Sequence, residues 1–182
     1  MRGMILVVFG VMAVSTGWAA QSSGEIEKAL LAAPRQVRDA ATVIRWKDDF
    51  TYETVKAGTN QLVCYDRSGK PAQQAFAVEC TSLANLDRVA QSMRIEAANA
   101  DAEARRAAFE ALEREGNWIE PEFGSVFINL SGPDQAQARF HTTVAVPGAT
   151  RESLGLPDTP AAGGAWIMNA GTSAAHIMVP GS

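Results

Sequence analysis

Between residues 42 and 80 the chain alternates its side chains with a period of two, breaks, turns and resumes, four times over. TVIRW (42–46) sets Thr, Ile and Trp on one side and Val and Arg on the other, and Lys47, Asp48 and Asp49 end it. FTYETVK (50–56) follows, then the turn AGTN (57–60), QLVCYD (61–66), the turn RSGKP (67–71) and AFAVEC (75–80). Successive side chains on a strand point to opposite faces, so short alternating runs rich in β-branched and aromatic residues, bounded by Gly, Pro, Asn and Asp, specify strands. No arrangement of four such segments is stable unless they pair.

The last two segments also carry the cysteines, Cys64 and Cys80. Leu62 and Cys64 share one face of their strand, and Phe76, Val78 and Cys80 share one face of theirs. If both faces meet the core, the thiols face each other. Two thiols in an exported chain pair as one disulfide. Closing so short a loop contributes roughly 3 kcal/mol on the chain-entropy model. A zinc site is the rival, but zinc cysteines usually stand two to four residues apart.

Helical periodicity then takes over. EIEKALLAA (25–33) reads as a helix stopped before Pro34. Leu83, Leu86, Val89, Ala90, Met93 and Ala97 form an apolar stripe at helical spacing. Asn99-Ala100-Asp101 interrupts it, with Asp101 suited to cap a second helix, DAEARRAAFEALERE (101–115), which Gly116 can end. That helix is alanine-rich and charged, with Asp101–Arg105 and Glu110–Arg114 spaced to pair. It reads as a solvated face or as an arm for a partner. SVFINL (125–130) and RFHTTVAV (139–146) are further strands. Phe140, Thr142, Val144 and Val146 face one way, while Arg139, His141, Thr143 and Ala145 lie on a face that reads as solvated. A loop rich in Pro and Gly (147–164) holds one helical turn at 151–154, and a terminal hairpin follows. Strands in runs, without a strand–helix rhythm, imply α+β: mainly antiparallel sheet or sheets packed against one long or broken helical segment.

The first 20 residues read as a signal peptide: Arg2, an apolar run from Met4 to Val14, and small residues for cleavage after Ala19 or Ala20. The run is too short to span a bilayer, and no later run is longer. Residues 21–182 then form a single globular domain of about 160 residues, exported to the periplasm or the medium. The whole chain has 16 basic and 20 acidic residues, net −4. Nucleic-acid binding needs a basic surface to displace counterions, and this balance is against it. No membrane span is expected in the mature chain, and a protein or small molecule remains as ligand.

Chemistry has few candidates. In the terminal segment WIMNAGTSAAHIMVP (166–180), pairing 165–169 with 174–179 sets Trp166, Met168, Ala175, Ile177 and Val179 on a core face. Ile167, Asn169, Ala174, His176 and Met178 share the other, with His176 opposite Ile167 and diagonal to Asn169. His176 is then a half-buried ring bonded to Asn169 or a carbonyl, or a titrating or metal-binding group at the lip of a cleft. As a catalytic base it would need a nucleophile such as Ser173, with Asn169 or Thr172 in support, but Ser173 points to the opposite face of the strand. No G-x-S-x-G elbow, no H-E-x-x-H and no phosphate-cradling glycine loop is present. A glycosidase needs opposed acids in a cleft; Asp48-Asp49 and Glu120/Glu122 are present, but such pairs occur by chance in any chain with 20 acids. His141 and His176 with a carboxylate are a conceivable metal set, and Met168 and Met178 could add soft ligands. No cofactor is implied.

LVCYDRSGKP, FAVECTSLANLDRVAQ, HTTVAVPGAT and GGAWIMNAGTSAAHIMVPGS together resemble an uncharacterised group of exported bacterial proteins of similar length. The resemblance spans most of the mature chain. It implies export and a bacterial origin and carries no functional residue with it. The expectation is an exported, non-enzymatic binding or envelope-associated domain, with a hydrolase or metal-dependent enzyme around His176 as the alternative. The alternative requires His176 in a concave, partly open pocket with a second titratable group in reach.

Overall fold

A computed structural model describes residues 16–160 and 164–179. Most of the expected signal segment lies outside the described residues; the cleavage positions fall within the first helix, α1 (Thr16–Ala29). A 3-10 turn, Leu30–Ala32, prolongs α1 to the stop before Pro34. The alternating segments become β1 (Thr42–Trp46), β2 (Tyr52–Lys56), β3 (Leu62–Asp66) and β4 (Phe76–Ser82). A second 3-10 turn, Leu83–Asn85, leads into α2 (Leu86–Ala98), and α3 (Ala102–Glu115) follows. The remaining elements are β5 (Val126–Gly132), β6 (Arg139–Ala145), the helical turn α4 (Arg151–Leu154), β7 (Trp166–Met168) and β8 (His176–Val179).

All eight strands form one sheet in the order β2-β1-β3-β4-β5-β6-β8-β7. Every pair is antiparallel except β1 with β3. The α+β class with a mainly antiparallel sheet is therefore correct. Gly58, in the turn after β2, packs on the backbone entering β1. A Cβ there would stand 2.4 Å from the Ala40 carbonyl oxygen and the Thr42 nitrogen, so only glycine fits.

The sheet is covered on both faces. On one, Val43, Cys64, Phe76, Val78, Cys80 and Ile128 pack against Ala29, Leu30, Ala32 and Ala33. On the other, Ile44, Trp46, Val63 and Tyr65 pack against Leu86, Val89, Ala90 and Met93 of α2. Leu83 and Ala97, expected in the α2 stripe, are exposed. Val146, Ala149, Ile167 and Ala175 make a third cluster where the C-terminal hairpin joins the sheet. Cys64 and Cys80 are direct partners across β3 and β4, with Cα atoms 4.1 Å apart, and form a disulfide.

The helical break falls where expected. The Asp101 carboxylate accepts from the Glu103 and Ala104 amides, and Gly116 ends α3 with φ 67°. The expected ion pairs on α3 are replaced. Arg105 turns back to the carbonyls of Asn99 and Ala100, and Arg106 approaches Glu110 at 3.8 Å. The carbonyls at the end of α2 lack helical partners, and the guanidinium satisfies this local demand.

Candidate functional site

The terminal hairpin is offset by one residue from the expected register. Ile167 pairs with Ile177, Met168 with His176 and Trp166 with Met178. Asn169 has left the strand, with φ 52°, and the connection extends to Ala175. A one-residue slip moves every side chain of a strand to its other face. So Ile167, not Trp166 and Met168, joins the buried cluster, and His176 stands opposite Met168 rather than Ile167. Asn169 is not the partner of His176. The His176 Nδ1 lies 2.8 Å from the Ala174 carbonyl oxygen. A carbonyl only accepts, so Nδ1 carries the proton and Nε2 is the ring's acceptor in the neutral state.

The strand pairings show what this face carries. Tyr65 pairs with Glu79, Glu79 with Asn129 and Asn129 with His141, a polar row across four strands. Beside it run Thr81, Phe127, Thr143 and Met178. Ala145 pairs with His176. The face of β6 that reads as solvated is thus partly roofed: Thr143 and Ala145 are buried, while His141 is exposed. A cleft of about 460 Å³ opens over it, lined by both histidines, Asn129, Thr143, Arg88 and Trp118 among others. Sequence reasoning placed His141 and His176 on separate strands; the fold brings them to one cavity.

The roof is the segment after α3, held by α2. Asn85, Arg88 and Gln91, three residues apart, line one side of the helix. The Glu122 amide donates to Asn85 Oδ1 (3.0 Å). Arg88 Nη1 donates to the Ile119 carbonyl. Gln91 donates to the Asn117 carbonyl (2.8 Å) and accepts from the Ile119 amide (2.9 Å). Asn85 is fully buried, and its amide also donates to Thr81 Oγ1 and Ser125 Oγ, each at 2.9 Å. This clamp fixes Trp118 over the cleft. Trp118 stacks on Phe109 of α3 (5.1 Å between centroids), and the Arg88 guanidinium lies 4.1 Å from the Trp118 ring centre.

Arg88 is 8 % exposed. Among the described residues no carboxylate lies within 4.0 Å of it. Burial pushes its pKa down to about 10, against the pull of the more distant Glu113 and Glu120. A second buried guanidinium, Arg67, is handled differently. It contacts Glu79 at 3.6 Å and bonds to Glu96. Burial still pushes the Glu79 carboxyl above the ordinary range.

Ser173 is engaged away from His176. Its hydroxyl and amide both donate to Glu113 of α3, the amide at 2.8 Å. These bonds hold the Glu113 carboxyl below the ordinary carboxylate range. Ser173 and His176 therefore do not form a nucleophile–base pair in this geometry. Thr172 Oγ1 donates to the Asn169 carbonyl (2.8 Å) and closes the turn. Among the described residues no group of three His, Cys, Asp or Glu side chains could hold a metal ion. Asp48, Asp49, Glu120 and Glu122 are exposed. No helix among the described residues is long and apolar enough to cross a membrane. With the disulfide, this is compatible with export.

Comparison of the chain with family models, with curated proteins and with solved structures finds no match.

Proposed function

We propose that this is an exported binding domain, acting in the periplasm or outside the cell without catalysis, and that it binds a small ligand in the cleft over β5, β6 and β8. The cleft itself is the observation that carries this reading. Its volume, near 460 Å³, suits a small molecule. Its polar groups, Asn129, Thr143, His141 and His176, converge on one cavity with an aromatic wall. The one serine beside His176 in sequence spends its hydroxyl on Glu113, which favours binding over acyl transfer.

A soluble-fragment screen followed by ¹⁵N–¹H NMR of the mature chain tests this. Ligands are expected to shift His141, Asn129, Thr143 and His176 together, and His176→Ala with His141→Ala to weaken them. A screen whose hits all map elsewhere overturns the reading. The second reading, a His176-centred hydrolase, draws on the same cleft, since His176 lines a concavity with other titratable groups. Ester turnover abolished by His176→Ala would replace the binding reading. Recovery of a mature N-terminus near Gln21 from the periplasm or medium tests export.

A further inference from the structure

We propose that Arg88 is the anion anchor of this cleft, and that the ligand it takes is a small organic carboxylate with an apolar body. The inference rests on the cleft being a binding site and names the chemistry of what binds there. Taking a guanidinium out of water is costly unless a counter-charge or a full set of acceptors replaces the water. Arg88 has neither. It offers five N–H donors, yet its hydrogen bond among the described residues is to the Ile119 carbonyl, and no ion pair accompanies it. Arg67, equally buried on the same sheet face, is given two carboxylates, although its Nε is left without a partner. Arg88 instead lies beside a cavity.

A second donor lies next to Arg88, beneath the same wall. The Trp118 indole nitrogen, in the ring that Arg88 covers, is buried with no hydrogen-bond partner. Buried donors left without acceptors are rare and call for an acceptor from elsewhere. Trp118 Nε1 is such a donor, and beside it the N–H groups of Arg88 that make no hydrogen bond are not sealed from solvent, which leaves them open to an acceptor-only group entering the cleft. A carboxylate fits the planar fork of a guanidinium with two parallel bonds. The remainder of the ligand meets Phe127, Trp118 and Ala145, which favour an apolar body. The one carboxylate on the lining, Glu96, is already bonded to Arg67 and leaves no surplus positive charge at that wall for a second anionic group. His176 also lines the cleft, and with Nδ1 bonded to the Ala174 carbonyl its Nε2 is left as the ring's acceptor for a hydroxyl or amide of the ligand.

The test uses benzoate, benzamide and inorganic phosphate as probes on the mature chain. The side-chain Nε–Hε resonance of Arg88 and the imidazole of His176 are followed by NMR, and Trp118 by fluorescence. Benzoate is expected to give saturable shifts at both side chains, with benzamide and phosphate at least tenfold weaker. Arg88→Gln should bring benzoate down to the level of benzamide. Because Arg88 also clamps the Ile119 carbonyl, Arg88→Lys is measured alongside. It keeps the charge, with its donors on a single nitrogen, but loses the planar fork, and should fall between the two. Equal binding of benzoate and benzamide in the cleft overturns the Arg88 assignment and leaves the binding reading standing. Phosphate as tight as benzoate overturns the carboxylate. No shift at any cleft residue with any probe overturns the assignment, and an empty fragment screen then removes the binding reading as well.

Discussion

Single side chains decide how this cleft is built. Asn85 is the clearest case. It is fully buried and joins the Glu122 amide, Thr81 and Ser125 in one network. Asn85→Ala leaves the part-buried Glu122 N–H without its acceptor. Such a loss costs about 1–3 kcal/mol. Urea unfolding should show it, and Trp118 emission should shift red as the roof loosens. Arg67 is the opposite kind of residue, a cation that reconciles two acids. Arg67→Met would strand Glu79 and Glu96, whose side chains are 14 % and 15 % exposed, without a counter-charge. Breaking a buried pair in this way costs about 3–5 kcal/mol. The pH dependence follows from Glu79. Burial raises its pKa in the fold, so its contribution to stability is complete below the ordinary carboxylate value and is lost as the pH rises through the raised one. Glu79→Gln should therefore flatten the fall in melting temperature from acid to neutral pH, while Arg67 keeps Glu96. A steeper fall in the variant would contradict this account.

At the scale of elements, α3 is the least anchored part of the fold. It buries no residue fully. Its ties include the bonds from Arg105 to the Asn99 and Ala100 carbonyls, the Phe109–Trp118 stack and the two bonds from Ser173 to Glu113. The sequence showed this helix as a solvated face or a partner arm; the structure shows a face largely exposed, with its contacts spread from Arg105 through Phe109 to Glu113. Glu113→Ala should speed amide exchange across 102–115, with a global stability loss below about 1 kcal/mol, as for other exposed contacts. The tie also depends on pH. The Glu113 pKa is lowered in the fold, so its contribution is present above the ordinary carboxylate value and is lost as the pH falls through the lowered one. Protection of the α3 amides, taken relative to their intrinsic exchange rates, should fall in acid, and Glu113→Gln should remove that fall. Most elements were legible, because period and punctuation are local properties: β1 and α4 fall on the expected residues, and Asp101 and Gly116 cap α3 as expected. The terminal hairpin was not legible in register. Its strands have only three and four residues, and the loop length that sets register depends on Asn169 adopting a positive φ. The cleft was half legible. His176 stood out as a lone ring on a mixed face. Arg88 did not, although Asn85, Arg88 and Gln91 already stood three apart beside the apolar stripe of α2, the spacing that marks one edge of a helix.

For the whole molecule, the sheet order explains why one covalent bond matters beyond its own strands. β3 and β4 are the third and fourth of eight, with the β1–β2 hairpin on one flank and the β5–β6–β8–β7 run on the other. Both major clusters pass through them: Cys64, Val78 and Cys80 on the α1 face, Val63 and Tyr65 on the α2 face. The Cys64–Cys80 bond closes a span of 16 residues at this junction. In the unfolded chain it forbids the two strands from separating, which shifts the equilibrium toward the fold without changing native contacts. The chain-entropy model puts this at roughly 3 kcal/mol. Replacing both cysteines by alanine also removes two buried sulfurs, so reduction is the cleaner comparison. The oxidised protein should show no thiol reactive to labelling in denaturant. Reduced protein should unfold at lower urea, by that amount divided by the m-value, with a steeper m as the freed chain exposes more surface. The site lies on the β5–β6–β8 side of the junction, so the reduced but still folded protein should keep its benzoate shifts at Arg88 and His176. If reduction abolishes those shifts below the unfolding transition, β3 and β4 govern the cleft directly, and its shape is not set by the α2 clamp alone.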